Sequence, residues 1–251
     1  MLTPRSDQYF GGHKCMLNLI GYSELAPNIS RDCMTTLPFI SISTKPNNIK
    51  REKIFNSSIK LRCAYLKQMI TSIQALHSLG YIHGDIKLEN FVLFNYDQFK
   101  LIDFECAELI DKDIKTPHFT REYCPPEMAN LNLNYKLNPE VTSLKASTAL
   151  DVWSAAVLVL HLFSRRGSLV QFEDIENEDN IPRRIASPKF SFRKSIHNTH
   201  LAKSKRETRE KCLCIDRAKR GTLDEILSLI PQLTQRSYDF RISVTASTEA
   251  A

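Results

Sequence analysis

The sequence predicts an α+β fold, with short strands early in the chain and a mainly helical stretch after them. Three observations carry this. Two apolar runs of strand length, residues 15–22 (CMLNLIGY) and 37–42, precede the turn signal Lys45-Pro46-Asn47-Asn48. Apolar residues then recur at spacings of three and four through Ile59, Cys63, Leu66, Ile70 and Ile73, which is one helical face. Farther on, the run AAVLVLHLF at 155–163 is apolar on every side, the pattern of a buried helix.

Composition bounds the reading. At 251 residues the chain is long enough for a sizeable core, near the top of single-domain size. No apolar h-region follows Met1, so no secretory signal is expected, and the longest apolar run is too short to span a bilayer. Seven cysteines stand without Cys-x-x-Cys pairs, which argues for reduced thiols in the cytoplasm or nucleus. The net charge of +6 is uneven: residues 173–179 (EDIENED) are acidic, whereas 183–220 is rich in Lys and Arg. Without interleaved aromatics or a nucleic-acid motif, that basic run reads as a solvated surface with docking potential, and nucleic acid is not expected as a partner.

In chain order, residues 1–12 are expected to be disordered. Residues 56–80 form a helix, capped by Ser57 or Ser58 and ended by Gly80, with His77 a surface or capping residue. Residues 91–94 and 99–102 form a hairpin about the turn Asn95-Tyr96-Asp97. The hairpin brings Asn90 and Asp103 to neighbouring ends, where their oxygens suit a shared hard cation. Asp85 and Asn90 lie five apart on one loop. Near the end, residues 222–230 form a short helix stopped by Pro231, and 232–251 is a flexible tail.

The motifs then become specific. His83-Gly84-Asp85-Ile86-Lys87-Leu88-Glu89-Asn90 resembles the protein-kinase catalytic loop H-R-D-L-x-x-x-N, with Gly for Arg, and Asp103-Phe104-Glu105 resembles D-F-G, with Glu for Gly. The same letters are similar to H-G-D-x-x-x-x-N and I-D-[FW]-E of aminoglycoside- and choline-kinase-like enzymes, so this stretch leaves both open. Three downstream blocks decide for the eukaryotic protein kinases. Residues 120–127 (TREYCPPE) resemble the close of a kinase activation segment. Asp151-Val152-Trp153-Ser154 resembles the D-V-W-S helix, and Asp216 to Arg220 resembles D-P-x-x-R.

The resemblance implies a two-lobed fold with an incomplete small β lobe: a remnant at 13–44 and the large, mainly helical lobe at 45–231. It implies a Ser/Thr kinase, a transferase that moves the γ-phosphate of ATP to protein hydroxyls. In that family's terms Asp85 orients the substrate hydroxyl, Lys87 neutralises the transferring phosphate, and Asn90 and Asp103 hold Mg²⁺ on ATP. Thr120 bonds Asp85 and Lys87, His83 packs under the loop, Glu127 pairs with Arg220, and Asp151 accepts from the loop backbone. Three departures stand against this: Gly84, Glu105, and a sequence without G-x-G-x-x-G or V-A-I-K, where Lys14 and Glu24 are poor substitutes. The alternatives are a pseudokinase that binds protein partners, or an N-terminally truncated piece of an active kinase.

Overall fold

One helix has no exposed face. In α3 (Thr148–Phe163) every residue from Leu150 to Phe163 is buried. Its sequence offers no polar stripe for water, so the fold wraps it on all sides. The structure is a computed structural model that describes residues 54–94, 98–137 and 143–231, together with the pairing of β1 (Tyr9–Phe10) and β2 (His13–Lys14). The other expectations for 1–53, including the strands at 15–22 and 37–42 and the roles of Lys14 and Glu24, lie outside the described residues. So do the turn at 95–97 and the tail at 232–251.

Against α3 packs α1 (Ile59–Ser78). Cys63, Leu66, Met69, Ile70, Ile73 and Leu76 form its buried face, close to the periodicity of the sequence. Ser58 is the cap, its hydroxyl accepting from Leu61 N at 3.2 Å, whereas Ser57 instead donates to the Ile54 carbonyl. Gly80 ends the helix region at φ 84°, a left-handed conformation that glycine adopts without steric cost. Ile59 departs from the expected face. It is 44% exposed, because the first turn runs past the buried stretch that begins at Cys63.

The strands are short and pair two by two. β3 (Tyr81–Ile82) pairs with β6 (Glu108–Leu109), and β7 (Asp113–Ile114) with β8 (Leu144–Lys145), all antiparallel. β4 (Phe91–Phe94) pairs with β5 (Gln98–Leu101) in the register Phe91↔Leu101, Val92↔Lys100, Leu93↔Phe99. The second strand starts one residue earlier than expected, but the ladder continues through Ile102 N donating to Asn90 O at 2.9 Å. Phe91, Leu93, Phe99 and Leu101 bury the alternating face, and Tyr65 of α1 meets the Phe99 ring edge-on at 4.8 Å.

The remaining α-helices among the described residues are α2 (Pro126–Tyr135), α4 (Ile181–Ile185), α5 (Arg193–His197), α6 (Arg206–Cys212) and α7 (Leu223–Leu227). α7 opens with a capping box, Thr222 and Glu225 each bonding the other's backbone N–H. The basic run is not wholly a solvated face: Arg209 and Arg220 are 3% and 7% exposed.

Candidate active site

The loop between β3 and β4 is held from below by one carboxylate. Asp151, in the first turn of α3, is 1% exposed and accepts from His83 N at 2.7 Å and Gly84 N at 2.9 Å. His77 Nε2 lies 2.8 Å from the same carboxylate, so its side chain turns inward to Asp151 instead of serving as the surface or capping residue expected. Burial alone pushes the Asp151 carboxyl up. The hydrogen bond and charge of His77, with His83 behind them, outweigh that and hold it below the usual range. A carboxylate at a helix N-terminus is also favoured by the helix dipole. The periodicity contained the signal for His77, since 63, 66, 70, 73 and 77 continue one face of α1.

His83 is fully buried, as expected of a packing residue. Its Nδ1 accepts from Asp85 N at 3.3 Å and its Nε2 faces the Ile102 carbonyl at 3.0 Å. Those partners require the neutral tautomer with the proton on Nε2. Burial lowers its pKa despite the nearby acids, which agrees with that neutral form.

Above this base, the sequence-selected residues meet. The Asp85 carboxylate accepts from Thr120 Oγ1 at 2.8 Å through Oδ1 and from Lys87 Nζ at 2.5 Å through Oδ2. Lys87 also donates to Thr120 Oγ1 at 3.1 Å, closing a three-residue ring across 35 positions of sequence. Asn90 ends a 3₁₀ turn whose Leu88 is buried, and its amide Nδ2 donates to Asp85 O at 2.8 Å and Oδ2 at 3.3 Å. The turn thus orients Asn90, 3% exposed, so that Nδ2 is spent on Asp85 and Oδ1 remains an acceptor.

Asp103 follows β5 and sits next to the Ile102–Asn90 bond that joins the hairpin's ends. Its φ of 65° is left-handed, a conformation aspartate tolerates better than most residues but still at a cost. Its carboxylate accepts no hydrogen bond from the described residues. One amide oxygen and one carboxylate at neighbouring strand ends are hard donors, and they fit a Mg²⁺ that keeps waters and phosphate oxygens as its other ligands. No cluster of three or more His, Cys, Asp or Glu able to enclose a metal occurs among the described residues.

Gly84 has a reason that the sequence did not disclose. It lies at φ 78°, and a Cβ there would stand 2.5 Å from the Cys106 carbonyl oxygen. The loop is pressed against the turn after Phe104, whose ring lies 5.2 Å from that of His83. Cys106 itself is no nucleophile: burial, reinforced by the charges of Asp85 and Asp103, pushes its thiol up to about 11.

The segment carrying Thr120 is pinned at its far end. Arg220 grips Glu127 with two bonds, Nη1–Oε1 at 2.8 Å and Nη2–Oε2 at 2.9 Å. Its remaining donors reach the carbonyls of Ala149, Cys214 and Ile215, and its guanidinium lies over the Trp153 ring at 5.1 Å. Arg121, next to Thr120, is tied to Asp179 at 2.7 Å and Glu178 at 3.3 Å, within the acidic run.

Comparison with known proteins agrees with this geometry. The protein kinase domain family matches residues 32–229. The chain is 27% identical over 179 residues to the serine/threonine-protein kinase mph1 of Schizosaccharomyces pombe, covering 65% of this chain and 26% of that protein. It is 30% identical over 182 residues to the probable serine/threonine-protein kinase CCRP1 of Zea mays, covering 71% of this chain and 26% of that protein. It is 26% identical over 170 residues to the human CaM kinase-like vesicle-associated protein, covering 65% and 31%. The chain therefore spans less than a third of the length of these relatives.

Proposed function

The chain belongs to the protein kinase family, and on that premise we propose that it transfers the γ-phosphate of ATP to Ser or Thr hydroxyls of protein substrates. The observation that carries the reading is the closed ring of Asp85, Lys87 and Thr120, with Asn90 locked onto Asp85. Phosphoryl transfer asks mainly for positioning and charge stabilisation, and a preformed ring supplies both. Asp85 orients the substrate hydroxyl and takes its proton. Lys87 presents its ammonium to the transferring phosphoryl group. Thr120 keeps these two side chains in register. Asn90 and Asp103 would hold Mg²⁺, which would neutralise charge on the phosphates of ATP, the donor of the phosphoryl group.

In this reading 13–44 belongs to the small lobe and 45–231 forms the large lobe. No helix among the described residues is long and apolar enough to cross a membrane. The described cysteines 63, 106, 124, 212 and 214 are free, which suits a reducing compartment, cytoplasmic or nuclear.

The test is γ-phosphate transfer to a generic Ser/Thr substrate. Asp85→Asn keeps the shape of the ring and removes the proton acceptor, so transfer falls by about 100-fold or more. A variant with wild-type turnover overturns the assignment. A second reading, a pseudokinase that binds protein partners, rests on the absence of G-x-G-x-x-G and V-A-I-K from the sequence. It requires that the folded protein transfer no phosphate and show no Mg²⁺-dependent thermal shift with ATP.

A further inference from the structure

A groove of about 1010 Å³ opens between the stretch 170–174 and the stretch 184–197, and none of its lining residues belongs to the site around Asp85. Arg184, Lys189, Arg193 and Lys194 line it, against Glu173 and Asp174. Both carboxylates are already engaged. Asp174 is clamped by the Arg184 guanidinium, with Nη2–Oδ2 at 3.0 Å, while Glu173 accepts from Ser168 Oγ at 2.8 Å and Arg166 Nη1 at 3.5 Å. Lys189, Arg193 and Lys194 are exposed and form no ion pair among the described residues. Three cations without an ion pair thus line one concavity, Lys194 also helping Arg184 to hold the Asp174 carboxyl low, and the low-dielectric wall concentrates their field.

The floor is built rather than loose. Ser195, 4% exposed, accepts from Val170 N at 3.0 Å and donates to the Gln171 side chain. Gln171 Nε2 reaches Ser191 O at 3.0 Å, and Arg184 Nη1 donates to Gln171 O at 2.8 Å. Beneath them Phe172, Phe190 and Phe192 pack ring to ring, with Trp153 behind. These bonds hold the backbone that carries the cations, so the groove itself need not rearrange on binding.

We propose that this groove docks an acidic peptide segment of a partner protein, separately from phosphoryl transfer. Its volume lies at the upper end of small-ligand pockets, which run to about 1,000 Å³, and it is largely open to solvent, so a chain segment fits it better than an enclosed compact metabolite. A nucleic-acid strand is disfavoured. The groove offers no stacking platform: of the phenylalanine rings only Phe190 reaches the lining, and it is 8% exposed and packed against Phe172 and Phe192. A membrane surface is disfavoured too, since the exposed large apolar residues Ile59, Leu61, Leu109 and Leu137 all lie outside the lining.

The experiment uses the full chain and a fluorescein-labelled peptide of alternating Asp or Glu with Gly or Ser, read by anisotropy. The acidic peptide binds and its Asn/Gln counterpart does not, with affinity falling as salt rises. Combining Lys189→Glu, Arg193→Glu and Lys194→Glu weakens binding by about tenfold or more. A charge-matched control, Lys60→Glu with Lys67→Glu and Lys203→Glu, leaves it within about twofold. These side chains are exposed, and a thermal melt verifies folding; Lys194→Glu alone gives a smaller drop in the same direction. Equal loss in the control variant, or no binding by wild type, overturns the proposal. So does tighter binding of a single-stranded oligonucleotide or of phosphatidylserine vesicles that the groove variant abolishes.

Discussion

Two carboxylates support the site, Asp151 buried and Glu127 part-buried, and they are held by different means. Glu127 faces one permanent cation, with both its oxygens in the fork of Arg220, 93 positions away in sequence. Asp151 faces dipoles and a ring: two backbone N–H groups from the loop and the imidazole of His77. The first arrangement is a pin, because losing Glu127 strands the buried Arg220 charge and losing Arg220 leaves Glu127 without its cation. The second is a graded clamp, because losing one donor leaves the others. The pin fixes where the Thr120 segment ends, while the clamp fixes the shape of the loop that carries Asp85.

The largest effect should come from the pin. Arg220→Ala leaves Glu127 without its cation and takes a donor from three carbonyls, and should cost about 3–5 kcal/mol in chemical denaturation. A loss under 1 kcal/mol would erase the contrast. The clamp should respond in steps. Asp151→Asn replaces the charged acceptor of two backbone bonds and should cost about 1.5–3 kcal/mol, with a fall in phosphate transfer as the loop loosens. His77→Ala removes one of three donors and should cost about 1 kcal/mol, with transfer less affected. If His77→Ala proves as damaging as Asp151→Asn, the clamp is not graded.

The smallest effect is a dependence on pH, and it belongs to the clamp and to the buried His83 ring beside it. His83 has its folded pKa below 6.5, so the unfolded chain takes up the proton first. Stability is therefore full above about pH 6.5 and declines as pH falls from there toward the folded value. Asp151 has its folded pKa below 3.8, so its contribution is present above that pH and is lost as pH falls through the folded value. Denaturation measured from pH 7 to 3 should thus show an upper slope that His83→Gln flattens and a lower one that Asp151→Asn flattens. A single slope unchanged by His83→Gln would show that the buried His83 ring carries none of the pH dependence.

Much of the site was legible because its residues sit at short spacings on one loop and hairpin. Asp85, Lys87 and Asn90 lie within six positions, and the alternation of 91–94 with 98–101 determines that Asn90 and Asp103 share an end. The periodicity of α1 and the unbroken apolar stretch of α3 likewise follow from local pattern, since burial on one face or all faces selects for it. The ring through Thr120 and the Glu127–Arg220 pin were reached through motif resemblance, for no local rule connects residues 35 or 93 apart.

Other features belong to the tertiary structure alone. That His77 turns toward Asp151, and that Ile59 overhangs the core, depend on where α1 ends relative to α3. That Gly84 admits no side chain depends on Cys106, 22 positions later, laying its carbonyl 2.5 Å from where a Cβ would stand. That Lys189, Arg193 and Lys194 line one groove depends on Phe172, Phe190 and Phe192 packing beneath them. Sequence pattern reports which faces of an element shun water. Which two faces meet, and which charges are left over when they do, is determined only by the packing of the whole chain.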